Sequence, residues 1–187
     1  MGTEVWGREE VTFGGVEVIN TDHSAIHKDY GIIAGDYFTL TNGATKKYCL
    51  TTPESLFPHI KNIVLNALGG SCKIEIFSGA DVTVNTGTAI LLYNPNLAGS
   101  NTPESTIKAS PTYTGGALCL PPVVVMADST NQTVASASFV QSANQEFVFE
   151  KDTQYIIVVT NLTTDTIDVT WNLFGYEEPR GITNGNS

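Results

Sequence analysis

A chain of 187 residues with 9 basic and 19 acidic side chains has a net charge of −10, which repels a phosphate backbone or an anionic membrane surface. Its length suits one domain that buries about 70% of its unfolded surface without disulfide or metal staples, and 41% hydrophobic against 15% charged residues excludes a disordered composition. No nucleic-acid or membrane partner is expected, because Lys46-Lys47 is the only adjacent basic pair and no apolar run approaches the roughly 20 residues that span a bilayer.

The first 20 residues form an expected N-terminal arm. It carries Trp6, and Val11, Phe13, Val16 and Val18 alternate loosely around Gly14-Gly15. Such an arm either adds a strand to a neighbouring subunit or ends as an edge strand. Its start, MGTEVWGREE, is acidic and polar rather than a signal peptide, so a cytosolic origin is expected. Next come Asp22 and the pair His23 and His27, four residues apart, which would share a helical face and could hold zinc. No Glu follows His23 and no third ligand stands nearby, so a capped turn or short helix is expected there instead, with Thr21 or Asp22 as N-cap.

From residue 30 the pattern is that of strands: 30–34, 37–40 and 44–51, with Asn42-Gly43 predicting a two-residue hairpin turn between the last two. Residues 58–68 follow a proline and resemble a helix in composition, but the β-branched centre and Gly69-Gly70 favour a strand. Residues 72–77 alternate well and are expected to continue over 81–84 beyond a kink at Gly79. Strands are also expected at 88–93 and 105–109, separated by a long polar loop, 94–103, of the kind that carries contacts. Thr114-Gly115-Gly116 predicts a turn into a strand at 117–120, which Pro121-Pro122 must end or confine to an edge. After a short apolar run at 123–126, residues 128–142 are rich in Ser, Thr, Ala and Gln and read as a mobile excursion.

The longest two-residue period lies at 145–178 and predicts three strands and two turns. Residues 155–159 are apolar on both faces, so this strand needs cover on both sides. In the last strand Ile167, Val169, Trp171 and Leu173 face one way, and Asp168, Thr170 and Asn172 the other. A packed pair of antiparallel sheets satisfies both patterns. The expected fold is therefore all-β, an antiparallel β-sandwich at 21–178, preceded by an extended arm at 1–20 and followed by a flexible tail at 179–187.

Cys49, Cys72 and Cys119 are an odd number without CxxC spacing, which predicts buried thiols rather than a disulfide framework or zinc cage. The sequons at Asn131 and Asn161 carry no weight without a secretory signal. There is no GxSxG elbow, no phosphate-binding loop and no dinucleotide fingerprint, and the acidic residues fall at expected turns and on wet faces of strands. No enzyme activity and no cofactor are expected.

The segment Asp22-His23-Ser24-Ala25-Ile26-His27, residues 88–96, Ser100-Asn101-Thr102 and the closing Phe174-Gly175-Tyr176-Glu177 together resemble small virion proteins of tailed bacteriophages, known as capsid decoration, head or cement proteins. The likeness covers residues 20–178. Where that pattern commonly carries an Asn-Arg-Asn-Arg run, this chain has Asn94-Pro95-Asn96-Leu97, so a basic contact by this loop does not carry over. The resemblance implies a jelly-roll type of sandwich on the capsid exterior of a virion assembled in the host cytoplasm. The implied partner is the major capsid protein, and a homotrimer is expected from symmetry and avidity. Partner contacts are expected at Trp6, Asp22, His23, His27, Asn94, Asn96 and Asn101. The alternative is a carbohydrate- or receptor-binding sandwich of a phage fibre or cell surface, with Trp6, Trp171 or a Tyr stacking on a sugar ring.

Overall fold

A computed structural model describes residues 10–13, 16–19, 30–83, 86–96, 101–126, 134–140 and 147–179. Within the first 20 residues, β1 (Glu10–Phe13) pairs antiparallel with β2 (Val16–Ile19), so this segment forms its own two-stranded hairpin rather than a single edge strand. The remaining strands are β3 (Gly31–Leu40), β4 (Thr45–Thr51), β5 (Leu56–Leu68), β6 (Cys72–Val82), β7 (Thr88–Ile90), β8 (Thr106–Ala109) and β9 (Tyr113–Leu118). They are followed by β10 (Val123–Val125), β11 (Val134–Val140), β12 (Phe147–Val148), β13 (Gln154–Asn161) and β14 (Ile167–Pro179). No helix occurs among the described residues.

Two antiparallel sheets pack face to face as a β-sandwich. One runs β11-β5-β14-β3, with β12 also on β5; the other runs β10-β6-β13-β4-β8-β7, with β9 also on β6. Their facing sides supply one continuous core, in which Ile32, Ala34, Ile63, Leu65, Val169, Trp171 and Leu173 meet Tyr48, Leu50, Ile74, Ile76, Ile157 and Val159. The 58–68 segment is a strand, as its β-branched centre predicts.

Asn42-Gly43 does make a turn, closed by Ala44 N–H donating to Thr41 O at 3.0 Å, with Gly43 at φ 62°. It is not a hairpin, however: β3 pairs with β14 in one sheet while β4 pairs with β13 and β8 in the other, so this turn is a corner between the sheets. The turn after β13 is a second corner, because β13 and β14 also belong to opposite sheets. Asn161, inward in phase with Ile157 and Val159, ties the two corners together. Its amide donates to Leu40 O, Thr41 O and Asp165 O, and its carbonyl accepts from the N–H and hydroxyl of Thr163.

The strand apolar on both faces, β13, gains its second cover from the β6–β9 pair. Gly79, Gly115 and Gly116 all have positive φ (68°, 71° and 102°), a conformation other residues adopt at a cost. The bend lets Ala80, Val82 and Tyr113 pack over Cys49, Ile156 and Val158 on the outside of the sheet, with the Lys47 ammonium 5.2 Å from the Tyr113 ring centre. Thr114-Gly115-Gly116 is therefore a bent stretch of strand and not the expected turn. Pro121-Pro122 breaks the outer edge between β9 and β10, which both lie along β6.

Three further expectations change. Gly31–Leu40 is one strand rather than two. Residues 134–140 of the expected mobile excursion pair along β5 from Val134↔Leu68 to Val140↔Asn62. The tail does not begin at 179, since Pro179 still pairs with Leu56.

Candidate functional site

The end of the sandwich that carries the 94–103 loop gathers most of the polar groups whose placement the core does not explain. β14 keeps its two-residue period past Leu173, which turns Gly175 and Glu177 inward, while β5 accommodates Lys61 as an extra residue where the β5–β14 register shifts. Glu177 is 1% exposed. Its carboxylate accepts two successive backbone N–H groups, Ser105 to Oε1 at 2.6 Å and Glu104 to Oε2 at 2.8 Å. A buried carboxylate held this way is a structural staple: it fixes the chain entering β8, in one sheet, to the end of β14, in the other. The expectation that acidic residues stay on wet faces fails here, and the signal in the sequence was the phase Glu177 shares with Trp171 and Leu173.

Asn94 and Asn101, expected as contacts, are brought together by that loop. Asn94 Nδ2 donates to Asn101 O at 2.9 Å, and Asn96 N–H donates to Asn94 Oδ1 at 2.9 Å. Asn94 thus joins the two described ends of this stretch, with Asn101 exposed and Asn96 half-buried. Tyr93, just before it, forms a bridge to Ile33 on the side of β3 away from β14. Ser55 donates to the exposed Glu104 carboxylate at 2.6 Å. Trp6, Asp22, His23 and His27 lie outside the described residues.

Sequence reasoning missed a second polar group, built across β5 and β14. His59 stacks on Tyr176 with ring centres 4.6 Å apart, its Nδ1 lies 3.1 Å from the Tyr176 hydroxyl, and its Nε2 lies 2.9 Å from Glu178 Oε2. Lys61 Nζ sits 5.3 Å from the Tyr176 ring centre. The imidazole is engaged on both nitrogens.

The thiols suit packing. Burial pushes Cys72 up to about 12 and also raises Cys49 and Cys119, so all three stay protonated near neutrality. Cys119 is exposed, contrary to expectation, because it directly follows β9 at the outer edge of its sheet, where β9 pairs with β6; its thiol donates to Ile76 O at 3.2 Å. Between the two sheets, the Tyr48 hydroxyl donates to Asp36 Oδ2 at 2.8 Å, and the Tyr48 ring meets the Trp171 ring edge-on at 4.9 Å. Burial holds the Tyr48 phenol far above its usual range; the Trp171 indole opposes this and Asp36 adds to it.

A cleft of about 600 Å³ opens beside β12, lined by Cys119, Leu120, Phe147, Phe149, Glu150 and Tyr155 among others. Phe149 and Tyr155 stack at 4.2 Å on its wall. Among the described residues no cluster of three His, Cys, Asp or Glu side chains is placed to hold a metal, and no helix is long and apolar enough to cross a membrane. No protein-family model matches the chain, and no curated protein matches its sequence.

Proposed function

We propose that this protein is a structural component of a tailed-phage virion, which decorates and stabilises the outside of the capsid by bridging major capsid protein subunits. The observation that carries the reading is the pairing scheme. Taking the sandwich strands in chain order, with β9–β10 and β11–β12 each as one interrupted strand, the first pairs with the last (β3–β14), the second with the seventh (β4–β13), the third with the sixth (β5–β11 and β12) and the fourth with the fifth (β6–β9 and β10). A jelly roll is a long antiparallel ribbon rolled in this manner, and the scheme supports reading the sandwich as one, with β7 and β8 inserted between the fourth and fifth strands. That wiring is what the resemblance to decoration proteins implies.

The acidic surface supports the same reading, since a net charge of −10 suits the exterior of a DNA-filled shell better than its lining. The working unit would be a homotrimer, because several weak contacts held together sum to durable attachment. Catalysis plays no part in this role. Purified protein mixed with expanded heads that lack it should bind at discrete, saturable lattice positions as trimers. Failure to bind, or attachment as scattered monomers, would reject the proposal.

A further inference from the structure

The outward face of the β3-β14-β5-β11 sheet carries charge at one end, where Lys61, His59 and Glu178 surround Tyr176, and is poor in charge over the remainder. By alternation from the inward core positions, it presents the odd residues of 33–39, the even residues of 168–174 and 62–68, and residues 134 and 136. The single charged side chain among them is Asp168, whose Oδ1 accepts a hydrogen bond from Thr39 at 2.6 Å. The outward face of the other sheet, by contrast, carries Lys47, Lys73, Glu75 and Lys108. In a chain of charge −10 with 19 carboxylate side chains, a patch of this extent holding one of them requires a cause.

Its remaining residues are of two kinds. Aromatic rings stand at two places: Tyr37, 65% exposed, and Phe174, 36% exposed. Tyr37 pairs with Thr170 and Phe174 with Ile33, so the two rings are separated by about four residues of strand, about 13 Å. Between them stands the amide of Asn172, and beside it that of Asn66, whose Nδ2 donates to the Thr170 hydroxyl at 3.5 Å, while the carbonyl oxygen of Asn62 is buried. Gly35 lacks the Cβ that would strike the Asn172 amide opposite it, which lets that side chain lie across the sheet. Beside Tyr37 a hollow of about 200 Å³ is lined by Asn66, Leu68, Val134, Asp168 and Thr170 among others.

From this arrangement we infer that the face binds an extended, uncharged oligosaccharide, laid across β3, β14 and β5 with sugar rings stacked on Tyr37 and Phe174. Aromatic rings offer the apolar platform that the C–H face of a sugar covers. Amides and hydroxyls at strand spacing offer donors and acceptors to the ring hydroxyls. A protein partner would bury the Asn172 and Asn66 amides and have to satisfy both, whereas a polyhydroxylated ligand carries a partner at every position. The single charge of the patch, the Asp168 carboxylate, repels anionic ligands, which fits a neutral glycan and disfavours sialylated, uronic or sulfated ones. Trp171 takes no part, because it is fully buried in the core. This site is independent of capsid attachment, which the loop end and the arm would serve.

The test uses the full chain and an array of neutral linear glucan, mannan, galactan and chitin oligomers. At least one should bind saturably, with little dependence on ionic strength. Tyr37→Ala should weaken that binding about tenfold with an unchanged thermal midpoint, Tyr37→Phe should retain it, and Val124→Ala, on β10 of the other sheet, should leave it intact. Silence across the array, binding that survives both Tyr37→Ala and Phe174→Ala, or salt-sensitive binding confined to acidic glycans would each overturn the inference. Attachment to heads can succeed or fail without altering any of these outcomes.

Discussion

Trp171, Tyr48 and Asp36 hold the middle of the sandwich through one edge-on ring contact and one hydrogen bond between the sheets. Because Trp171 is fully buried, Trp171→Ala should cost about 3–5 kcal/mol, read from a urea melt; an unchanged midpoint would contradict its place in the core. Cys72 makes a prediction in pH. Burial raises its thiol from 9.0 to about 12, so the folded protein keeps a proton that the unfolded chain releases. Its stabilising effect is therefore complete below about pH 9 and is lost as pH rises toward 12, by up to about 4 kcal/mol. Tyr48, Cys49 and Tyr155, all raised chiefly by burial, act in the same direction. Urea midpoints across that range should fall less steeply for Cys72→Ala than for the parent chain. An identical alkaline slope would show that this thiol is not responsible.

At the scale of elements, strand existence was largely legible and strand partnership was not. The alternation of Ile167, Val169, Trp171 and Leu173 reads as one buried face whichever sheet receives it, so nothing local separates a hairpin from a corner. That is why Asn42-Gly43 resembled a hairpin turn, although the constraint came from Asn161, more than a hundred residues away, whose amide holds both corners. Gly115-Gly116 read as a turn because positive φ suits turns, but here it bends a strand over β13. β11 escaped because Ala135, Ser136 and Ala137 are small, and their alternation is weak in hydrophobicity though clear in register. Of the candidate site, the 94–103 loop was visible from its turn formers, while the Glu177 staple was concealed by its charge. One glycine gives a sharp test of the β5–β14 register. A Cβ at Gly175 would collide with the backbone of His59 and Ile60 across the register shift, so Gly175→Ala should destabilise by more than about 2 kcal/mol, whereas Gly43→Ala, in open space, should cost only about 1 kcal/mol from its positive φ. Equal losses in a thermal melt would mean that the strands can separate there without penalty.

For the whole molecule, the proposed role assigns different tasks to different surfaces. Under that proposal the loop end and the arm would meet the shell, and the patch of β3, β14 and β5 around Tyr37 and Phe174 would be left to meet ligands outside it. Linkage then governs what decoration does: a protein that binds the assembled head and not its separated subunits stabilises the assembly without forming a covalent bond. Many copies acting together should raise the temperature at which packaged DNA escapes. The most direct test compares DNA release on heating between heads lacking the protein and the same heads saturated with it. A higher release temperature that scales with occupancy is the predicted result, and an unchanged release temperature at full occupancy would contradict the stabilising role.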